Sequence, residues 1–285
     1  MKATVVYLHA ITPVHSGTGQ TVAVIDLPIA REKATGWPII PGSSLKGVVR
    51  SAATAAEDHE KLFGTQRQAG DLVLTDQRIL CLPVRSFFGT FAWVTCPLVL
   101  DRFVKDMTGV GAGVPFTCPI PSVTGEDACM VTQTTQLTHE QQAPQGQQAP
   151  QKVYLEDLDL NATRNPDTTT IAAALVDKLF ANDEQAKKHF KERFAIVSDE
   201  LFNFLSETGT EVAARIALNE RGTTTGDGGN LWYEEAVPAE SIFAGAALCA
   251  DEKEPSEVLQ ALNVTCIQIG GNASVGRGLC RLVVQ

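Results

Sequence analysis

Residues 41–50 combine glycine, two hydroxyls and two cations where a helix is predicted to begin. Ser43 and Ser44 are residue types that cap helix N-termini, whereas Lys46 and Arg50, four positions apart, share one helix face. Backbone N–H groups and the positive end of the helix dipole attract anions at such a place. These residues therefore predict a phosphate site. An ordinary capped surface helix explains the same pattern equally well, and the order of a nucleotide-binding P-loop is absent.

A second glycine-rich segment, residues 269–278, lies between two predicted strands and contains four glycines. Glycines such as Gly271 let a backbone approach a ligand closely, and Asn272, Ser274 and Arg277 supply groups for phosphate or sugar contacts. The segment is a candidate RNA-binding loop. A bare glycine turn is the alternative, and by itself this pattern favours that alternative.

Acidic side chains are rare in the first fifty residues, which draws attention to Asp26 at the end of an apolar stretch. A carboxylate there is able to take a proton or bind a divalent cation. His15 lies in a glycine turn about a dozen positions upstream. From spacing alone, a locally hydrogen-bonded aspartate and a turn histidine remain the simpler interpretations.

Residues 212–219 and 230–234 alternate as strands do and flank a polar, glycine-rich segment, which predicts a projecting β-hairpin. Trp232 and Tyr233 belong to its second strand. Such an aromatic pair is suited to stacking on or wedging between bases, and equally to anchoring the hairpin on its own core.

The remaining chain alternates strands and helices, which indicates an α+β, ferredoxin-like core carrying insertions. A glutamine-rich tract, residues 132–151, predicts a mobile loop because it has little apolar area to bury. The residues Phe87, Phe88, Phe91 and Trp93 are predicted to lie in the core. The other predicted strands are 2–9, 22–27, 72–80, 241–249, 265–269 and 278–284, and the predicted helices are 43–62, 168–180, 183–192, 198–206 and 255–262.

The 285 residues carry a formal net charge of −10, and 44% of them are apolar. This composition excludes general disorder, and the absence of a long apolar run predicts a soluble protein without membrane contact. Seven cysteines without a Cys-x-x-Cys pair argue against a disulfide framework or a zinc cluster and fit the cytoplasm. The acidic balance argues mildly against a free-standing nucleic-acid binder, but it allows a local basic groove.

Several motifs together resemble the RAMP superfamily over nearly the whole chain. More narrowly, they are similar to the repeated backbone subunit of the type III-B (Cmr) CRISPR effector complex. The motifs are Pro-Ile-Ile-Pro-Gly-Ser-Ser-Leu-Lys-Gly at 38–47, Leu-Phe-Gly at 62–64, Pro-Val-Arg-Ser at 83–86, Phe-Ala-Trp-Val-Thr-Cys-Pro at 91–97, Leu-Trp-Tyr-Glu-Glu at 231–235 and the glycine loop at 270–278.

The resemblance implies a single RAMP domain over residues 1–285 with a ferredoxin-like (RRM-like) palm and a projecting thumb. The palm core would comprise residues 1–105 and 239–285. An insertion would span 106–211 and contain the glutamine-rich loop 132–151, and the thumb hairpin would span 212–238.

The resemblance also implies copies stacked along a guide RNA (crRNA) with other subunits of the effector complex. Family members of this branch cleave complementary target RNA at regular intervals with Mg²⁺ or another divalent cation. Asp26 matches the context of the family's catalytic aspartate and would be the metal ligand, and His15 and Glu234 match helper positions. Ala236 stands where the family carries a tyrosine.

Two other functions remain open at this stage. One is a structural subunit that binds guide RNA and builds the filament without cutting. The other is an endoribonuclease that processes the guide precursor, although that chemistry would favour a histidine beside a basic groove over an isolated aspartate.

Overall fold

The computed structural model describes residues 1–20, 24–53, 59–140, 151–217, 231–250 and 253–285. The strands are β1 (Lys2–Ala10), β2 (Ile39–Ile40), β3 (Leu72–Leu74), β4 (Gln77–Arg85), β5 (Phe91–Thr95), β6 (Ala128–Val131), β7 (Thr138–Glu140), β8 (Gln151–Leu155), β9 (Leu158–Arg164), β10 (Phe194–Val197), β11 (Glu211–Ile216), β12 (Leu231–Ala236), β13 (Ile242–Cys249), β14 (Cys266–Gln268) and β15 (Leu279–Val284). The helices are α1 (Gly42–Ala52), α2 (His59–Phe63), α3 (Pro97–Gly109), α4 (Pro166–Leu179), α5 (Glu184–Arg193), α6 (Asp199–Thr208) and α7 (Pro255–Ala261), with a 3₁₀ turn at Ala273–Val275.

Strand β1 is the centre of the fold. Its last seven residues are all buried, so the strand is covered on both faces. It pairs antiparallel with β13, from Lys2 opposite Cys249 to His9 opposite Ile242, and with β15 on its other side. Helix α7 packs on these three strands, whereas α3 packs on β4 and β13. The predicted α+β class is confirmed.

One large mixed sheet runs through the described residues in the order β14-β15-β1-β13-β4-β5-β10-β6-β9-β8-β7, with β2 on β4 and β3 on β13. The strands of the predicted insertion, β6 to β10, continue this sheet through the parallel pairing of β10 with β5. The region 106–211 therefore shares its sheet with the predicted palm. Strands β11 and β12 form a separate two-stranded hairpin whose tip, 218–230, lies outside the described residues.

The predicted helices near the middle and the end of the chain are confirmed as α4 to α7, and the predicted strands 2–9, 241–249, 265–269 and 278–284 as β1, β13, β14 and β15. Asn165, Asp183 and Ser198 each accept a hydrogen bond from a first-turn N–H group and so cap α4, α5 and α6. These helices depend on local signals, namely capping residues and a helical period of apolar positions, and such signals are visible in the sequence.

Four local predictions need correction. Residues 24–27 are not a strand; Leu27 makes only a single parallel bridge to Glu234, because Pro28 follows and lacks an N–H group. The predicted helix 43–62 comprises two helices, α1 and α2, on either side of residues 54–58, which lie outside the described part. The predicted strand 72–80 divides into β3, which pairs with β13, and β4.

The fourth correction concerns the glutamine-rich tract. Residues 138–140 pair with β8, which begins at Gln151, so the strands reach into both ends of the predicted loop. Thr132 is buried and donates to the Lys191 carbonyl, and Leu137 is buried as well. Residues 141–150 lie outside the described residues.

The predicted aromatic core is also only partly correct. Trp93 is buried, Phe88 and Phe91 are half-buried, and Phe87 is 81% exposed. Phe87 lies in the turn between β4 and β5, where its ring contacts Phe88 and Tyr154 at the surface. No helix among the described residues has the length and apolarity needed to cross a membrane.

An ionic cluster ties the segment after Ala30 to α3. Arg102 of α3 donates two hydrogen bonds to Glu32, at 2.7 and 2.5 Å, while its guanidinium lies 5.9 Å from the Trp37 ring centroid. Arg78 of β4 is 3.3 Å from the same carboxylate. The hydrogen bonds from Arg102, aided by Thr35, hold the pKa of Glu32 down at about 2, against an ordinary 4.5.

We predict that Glu32→Gln lowers the free energy of unfolding by about 2 kcal/mol at neutral pH, since it removes charge-assisted hydrogen bonds. The lowered pKa means that this stabilisation is complete above the unfolded-state pKa of 4.5 and is lost as pH falls through about 2. Urea unfolding at pH 7 and at pH 3 measures the difference. Glu207→Gln, at an exposed position of α6, is the control; a wild-type–variant difference that grows with falling pH would contradict the assignment.

Candidate functional site

One buried carboxylate holds the base of the β11–β12 hairpin to the body. Glu235 is 3% exposed and accepts hydrogen bonds from Arg31 Nη2 at 2.5 Å, from Thr210 Oγ1 at 2.9 Å and from the Ile29 N–H at 3.1 Å. Arg31 also donates to the carbonyls of Gly36 and Ser206. A buried charge is tolerated only when it is paired and hydrogen-bonded, and Glu235 meets this condition. The segment 27–31 is thereby fixed against the hairpin.

This contact positions Asp26. The Leu27 N–H donates to the Tyr233 carbonyl and the Glu235 N–H to the Leu27 carbonyl, each at 3.0 Å, and Asp26 Oδ2 accepts from the Tyr233 N–H at 2.8 Å. Asp26 is half-buried. Its second oxygen, Oδ1, accepts no hydrogen bond from the described residues, so it remains available for a proton or a cation.

His15 is buried beside the same strand. Its Nδ1 lies 2.6 Å from the Glu235 carbonyl oxygen. A carbonyl only accepts, so Nδ1 carries a proton and donates, and Nε2 holds the lone pair in the neutral ring. The ring lies over Gly17, where an added Cβ would come within 2.5 Å of Nε2. Glycine is therefore required at position 17 to accommodate the imidazole.

The glycine-rich loop 269–278 packs directly on this histidine. The Gly271 N–H donates to the His15 carbonyl at 3.0 Å. Gly270 has a φ of +82°, and a Cβ there would lie 2.0 Å from the same oxygen, so only glycine allows the contact. The Gly278 N–H donates to the Pro13 carbonyl at 2.9 Å. The loop is therefore held against residues 13–15.

Glu234, a residue of β12, joins the hairpin to the glycine-rich loop. It is 4% exposed, and Asn272 Nδ2 donates to its Oε1. Arg215 Nε of β11 is 3.8 Å from Oε2 and has no hydrogen-bond partner of its own. One amide and one guanidinium thus balance this buried carboxylate.

The structure therefore brings Asp26, His15, Glu234, Asn272 and Gly271 together at the base of the hairpin, although they come from three distant parts of the chain. Asp26 offers a free carboxylate oxygen, and its neighbours fix the surrounding backbone. Such a set suits transfer of a proton to a carboxylate from a substrate held against the hairpin.

The described residues contain no group of three or more His, Cys, Asp or Glu side chains arranged to hold a metal ion. Glu234 is buried, with Oε1 bound by Asn272 and Oε2 facing Arg215, whereas Asp26 is half-buried and its Oδ1 accepts no hydrogen bond from the described residues. One carboxylate fits Mg²⁺ only when substrate phosphates complete its ligands, which is a common arrangement for this ion.

The predicted phosphate site on α1 differs in its details. The helix begins at Gly42, and neither Ser43 nor Ser44 makes a capping hydrogen bond, so the predicted serine cap is wrong. The Asp76 carboxylate accepts from the Gly42 N–H at 2.8 Å, because the turn between β3 and β4 lies against the helix start. A carboxylate thus occupies part of the predicted anion position.

The cations of α1 nevertheless face outward from this helix start. Ser43, Ser44 and Arg50 are exposed. Lys46 is half-buried and forms no ion pair with the described residues; desolvation, and then the charge of Arg50, lower its pKa. Helix α1 packs against β3, β14 and α2.

The other predicted RNA-binding and thumb residues divide between internal and exposed positions. Arg277 is 3.0 Å from Glu211 and Asn272 is bound to Glu234, whereas Ser274 is exposed. Trp232 is half-buried on the face that also carries Glu234, and Tyr233 is 42% exposed on the opposite face. The two aromatic residues therefore cannot act as one unit, because successive strand residues point to opposite faces.

Sequence reasoning missed Arg215, Asp76 and the pairing of Arg31 with Glu235. Arg215 lies opposite Trp232 and hence diagonal to Glu234. Its position follows from the hairpin register. The sequence does not reveal that register, because the connecting segment 218–230 is too long to fix which residues of the two strands pair. Asp76 follows an apolar strand and gives no helix-capping signal, because it caps a helix more than thirty positions upstream.

With this geometry established, comparisons with known proteins are informative. A profile of the RAMP superfamily matches residues 7–281. A Pyrococcus furiosus protein named CRISPR system Cmr endoribonuclease Cmr4 is 36% identical over 303 residues, covering 100% of this chain and 96% of that protein. The CRISPR system CMR subunit Cmr4 of Saccharolobus solfataricus is 23% identical over 302 residues, covering 97% and 94%.

Solved structures agree in fold. Oligomeric Cmr4 from Pyrococcus furiosus superposes with a TM-score of 0.73 at 29% identity, covering 100% of this chain and 98% of that chain. A chain of the type III-B Cmr-beta complex bound to cognate target RNA gives a TM-score of 0.71 at 18% identity, covering 100% and 97%, which is a likeness of fold alone. The profile match and the full-length relative show that this chain belongs to the RAMP superfamily as a homologue of Cmr4.

Proposed function

We propose that the protein is the guide-RNA-binding backbone subunit of a type III-B CRISPR effector complex in the cytoplasm, and that it cleaves complementary target RNA at regular intervals as an antiviral endoribonuclease. The observation that carries this proposal is the position of Asp26 at the base of the β11–β12 hairpin, where its Oδ1 accepts no hydrogen bond from the described residues. The full-length relation to a protein named a Cmr endoribonuclease supports the reaction. Its partners would be crRNA, target RNA, further copies of itself and other subunits of the complex.

The chemistry follows from RNA geometry. In a regular A-form helix the 2′-hydroxyl is poorly aligned with its own phosphodiester, so cleavage requires a nucleotide that is displaced from the stack. The β11–β12 hairpin starts beside Asp26 and would make that displacement. Asp26 Oδ1 would then accept the proton of the 2′-hydroxyl as the 2′-oxygen attacks phosphorus, and the P–O5′ bond would break to leave a 2′,3′-cyclic phosphate and a 5′-oxygen that takes a proton from water. Base pairing between the guide and the target would select the target, leaving the protein to recognise backbone shape.

The neighbouring residues would hold this carboxylate in place. The Tyr233 N–H orients Asp26, and it is itself fixed by the pairing of β12 with residues 27–29. The His15 ring donates from Nδ1 to the Glu235 carbonyl, and the His15 backbone carbonyl accepts from the Gly271 N–H. The Asn272 side-chain amide donates to the Glu234 carboxylate. We assign His15 and Glu234 as positioning residues, because their hydrogen bonds to the described residues face inward, and Asp26 as the catalytic residue.

A divalent cation such as Mg²⁺ would, when bound, stabilise negative charge on the phosphate oxygens. Where Asp26 Oδ1 holds this ion together with phosphates of the RNA, since the described residues offer no closed protein site, the proton of the 2′-hydroxyl would pass to water instead of to Asp26. Because RNA phosphates would complete its ligands, the cation would bind at Asp26 only when RNA is present.

Helix α1 would bind the guide backbone. Lys46 and Arg50 lie one turn apart, so the two cations could contact neighbouring phosphates of one strand. The exposed hydroxyls of Ser43 and Ser44 and the loop residue Ser274 would add neutral contacts. A net charge of −10 is compatible with this function because only one surface needs to be basic and many copies share one RNA.

The first test compares wild type with Asp26→Ala in the complex reconstituted with guide RNA. We expect an end-labelled complementary target to give a regularly spaced ladder with wild type and Mg²⁺. Loss of the proton acceptor should reduce the cleavage rate by roughly 100-fold or more. Filter binding under the same conditions should show unchanged target affinity.

Asp101→Ala, at a carboxylate of α3 that pairs with Lys105, is the matched control and should cleave like wild type. Excess chelator should abolish the ladder and leave binding intact, and persistence of the ladder would remove the cation from the mechanism. Target that is bound but uncut by wild type would favour the non-cutting scaffold. Cleavage of guide-precursor RNA by the isolated chain would favour processing of the guide.

The second test concerns Lys46→Ala. We expect weaker RNA binding that is independent of sequence, and a plot of log affinity against log salt whose slope is shallower by about 1 because one phosphate contact is lost. Fluorescence anisotropy with two guides of unrelated sequence measures both quantities. Lys105→Ala removes a cation already paired with Asp101 and is the control; identical slopes for wild type and Lys46→Ala would remove α1 from the interface.

A further inference from the structure

Three aromatic rings form a cluster at the surface where the β4–β5 turn meets the end of β8. Phe87 and Phe88 lie in the β4–β5 turn and Tyr154 lies at the end of β8. Their ring centroids are 5.0 Å apart for Phe87–Phe88, 6.4 Å for Phe87–Tyr154 and 6.2 Å for Phe88–Tyr154, with interplanar angles from 51° to 74°. Phe87 is 81% exposed. The tilted rings line a cavity of about 400 Å³, within the range of roughly 300–1,000 Å³ that small-ligand pockets occupy.

The backbone holds these rings in a fixed arrangement. The Phe87 N–H donates to the Tyr154 carbonyl at 3.2 Å, and the Glu156 N–H donates to the Arg85 carbonyl at 2.9 Å. Two non-glycine residues of the adjoining turns have positive φ, namely Thr90 at 75° and Glu156 at 49°. Left-handed backbone is costly for such residues and persists where the surroundings enforce it. The cluster is therefore preorganised.

Two carboxylates complete the lining of this cavity. Glu156 and Asp157 form the two-residue turn between β8 and β9, and both are exposed. Glu156 is 3.8 Å from Arg85, an exposed and loose contact. Asp157 makes no ion pair with the described residues. Aromatic ring faces and carboxylates both attract positive charge, and the carboxylates repel phosphate.

We propose that this aromatic–acidic pocket, formed by Phe87, Phe88, Tyr154, Glu156 and Asp157, binds an arginine side chain presented by a partner protein. A guanidinium stacks on aromatic faces and pairs with carboxylates in one pose, which a compact ammonium does less well. A nucleobase would also stack on the rings, but its phosphates would meet two acidic residues. The pocket is thus a protein-docking site, separate from α1 and from the base of the hairpin, and it does not depend on the proposed RNA cleavage.

The full-length chain labelled with 4-fluorophenylalanine tests this directly by ¹⁹F NMR. It has twelve phenylalanines, and the Phe87→Leu variant identifies the Phe87 resonance. N-acetyl-arginine methylamide is the probe, and the neutral isostere N-acetyl-citrulline methylamide is its control. We expect a saturable shift of the Phe87 resonance with the arginine probe and a response to citrulline that is weaker by about two- to fivefold.

The double variant Glu156→Gln, Asp157→Asn keeps the rings and removes the charges. It should lose the preference for arginine over citrulline, while its other resonances show that the fold is intact. Phe204, 51% exposed on α6, is the internal control and should not respond. No saturable shift, equal response to both probes, or a stronger shift with adenosine monophosphate would overturn the proposal, the last by assigning the pocket to a nucleobase.

Discussion

The buried carboxylate of Glu235 is the interaction on which the geometry of the site depends. Its three donors come from residues 29, 31 and 210, so one side chain joins the segment after Asp26, the base of β11 and strand β12. Removing any donor would leave a buried charge incompletely satisfied, which costs more than the lost hydrogen bond itself. Glu235, both of whose oxygens accept hydrogen bonds, therefore holds in place the segment that carries Asp26. Asp26 Oδ1 accepts no hydrogen bond from the described residues.

A second constraint comes from close backbone approach. The His15 carbonyl accepts from Gly271 while Gly270 packs against it, and an added Cβ at position 270 would overlap that oxygen. The glycines of the terminal loop thus serve the protein's own packing. They let Asn272 reach Glu234, so a segment near the C-terminus stabilises a carboxylate in the hairpin and a turn near the N-terminus.

The charged surfaces of the chain are divided by function. Helix α1 presents Lys46 and Arg50, which suit a polyanion, whereas the aromatic–acidic pocket presents Glu156 and Asp157, which suit a cation. An acidic protein that binds RNA benefits from this separation. Under the two proposals, phosphates would be drawn to α1 and kept away from the aromatic–acidic pocket, which would leave that pocket free for a protein partner.

The sequence by itself determined the elements that rest on local signals. Helical patterns predict α4 to α6, and β-branched and aromatic side chains in rough alternation predict β1. The glycine loop, Asp26 and the hairpin arms were identifiable as candidates from residue type and spacing. The family motifs then joined them into one functional hypothesis.

Only the tertiary structure decided which of these candidates meet. Asp26 and Tyr233 are 207 positions apart, and their hydrogen bond depends on how the hairpin docks. The same holds for Asp76 at the start of α1, which displaces the predicted serine cap, and for Phe87, which is exposed beside Tyr154 of the distant strand β8. Local propensity acts over a few residues, whereas these contacts depend on strand register and on the packing of distant segments, and no short stretch of sequence encodes either.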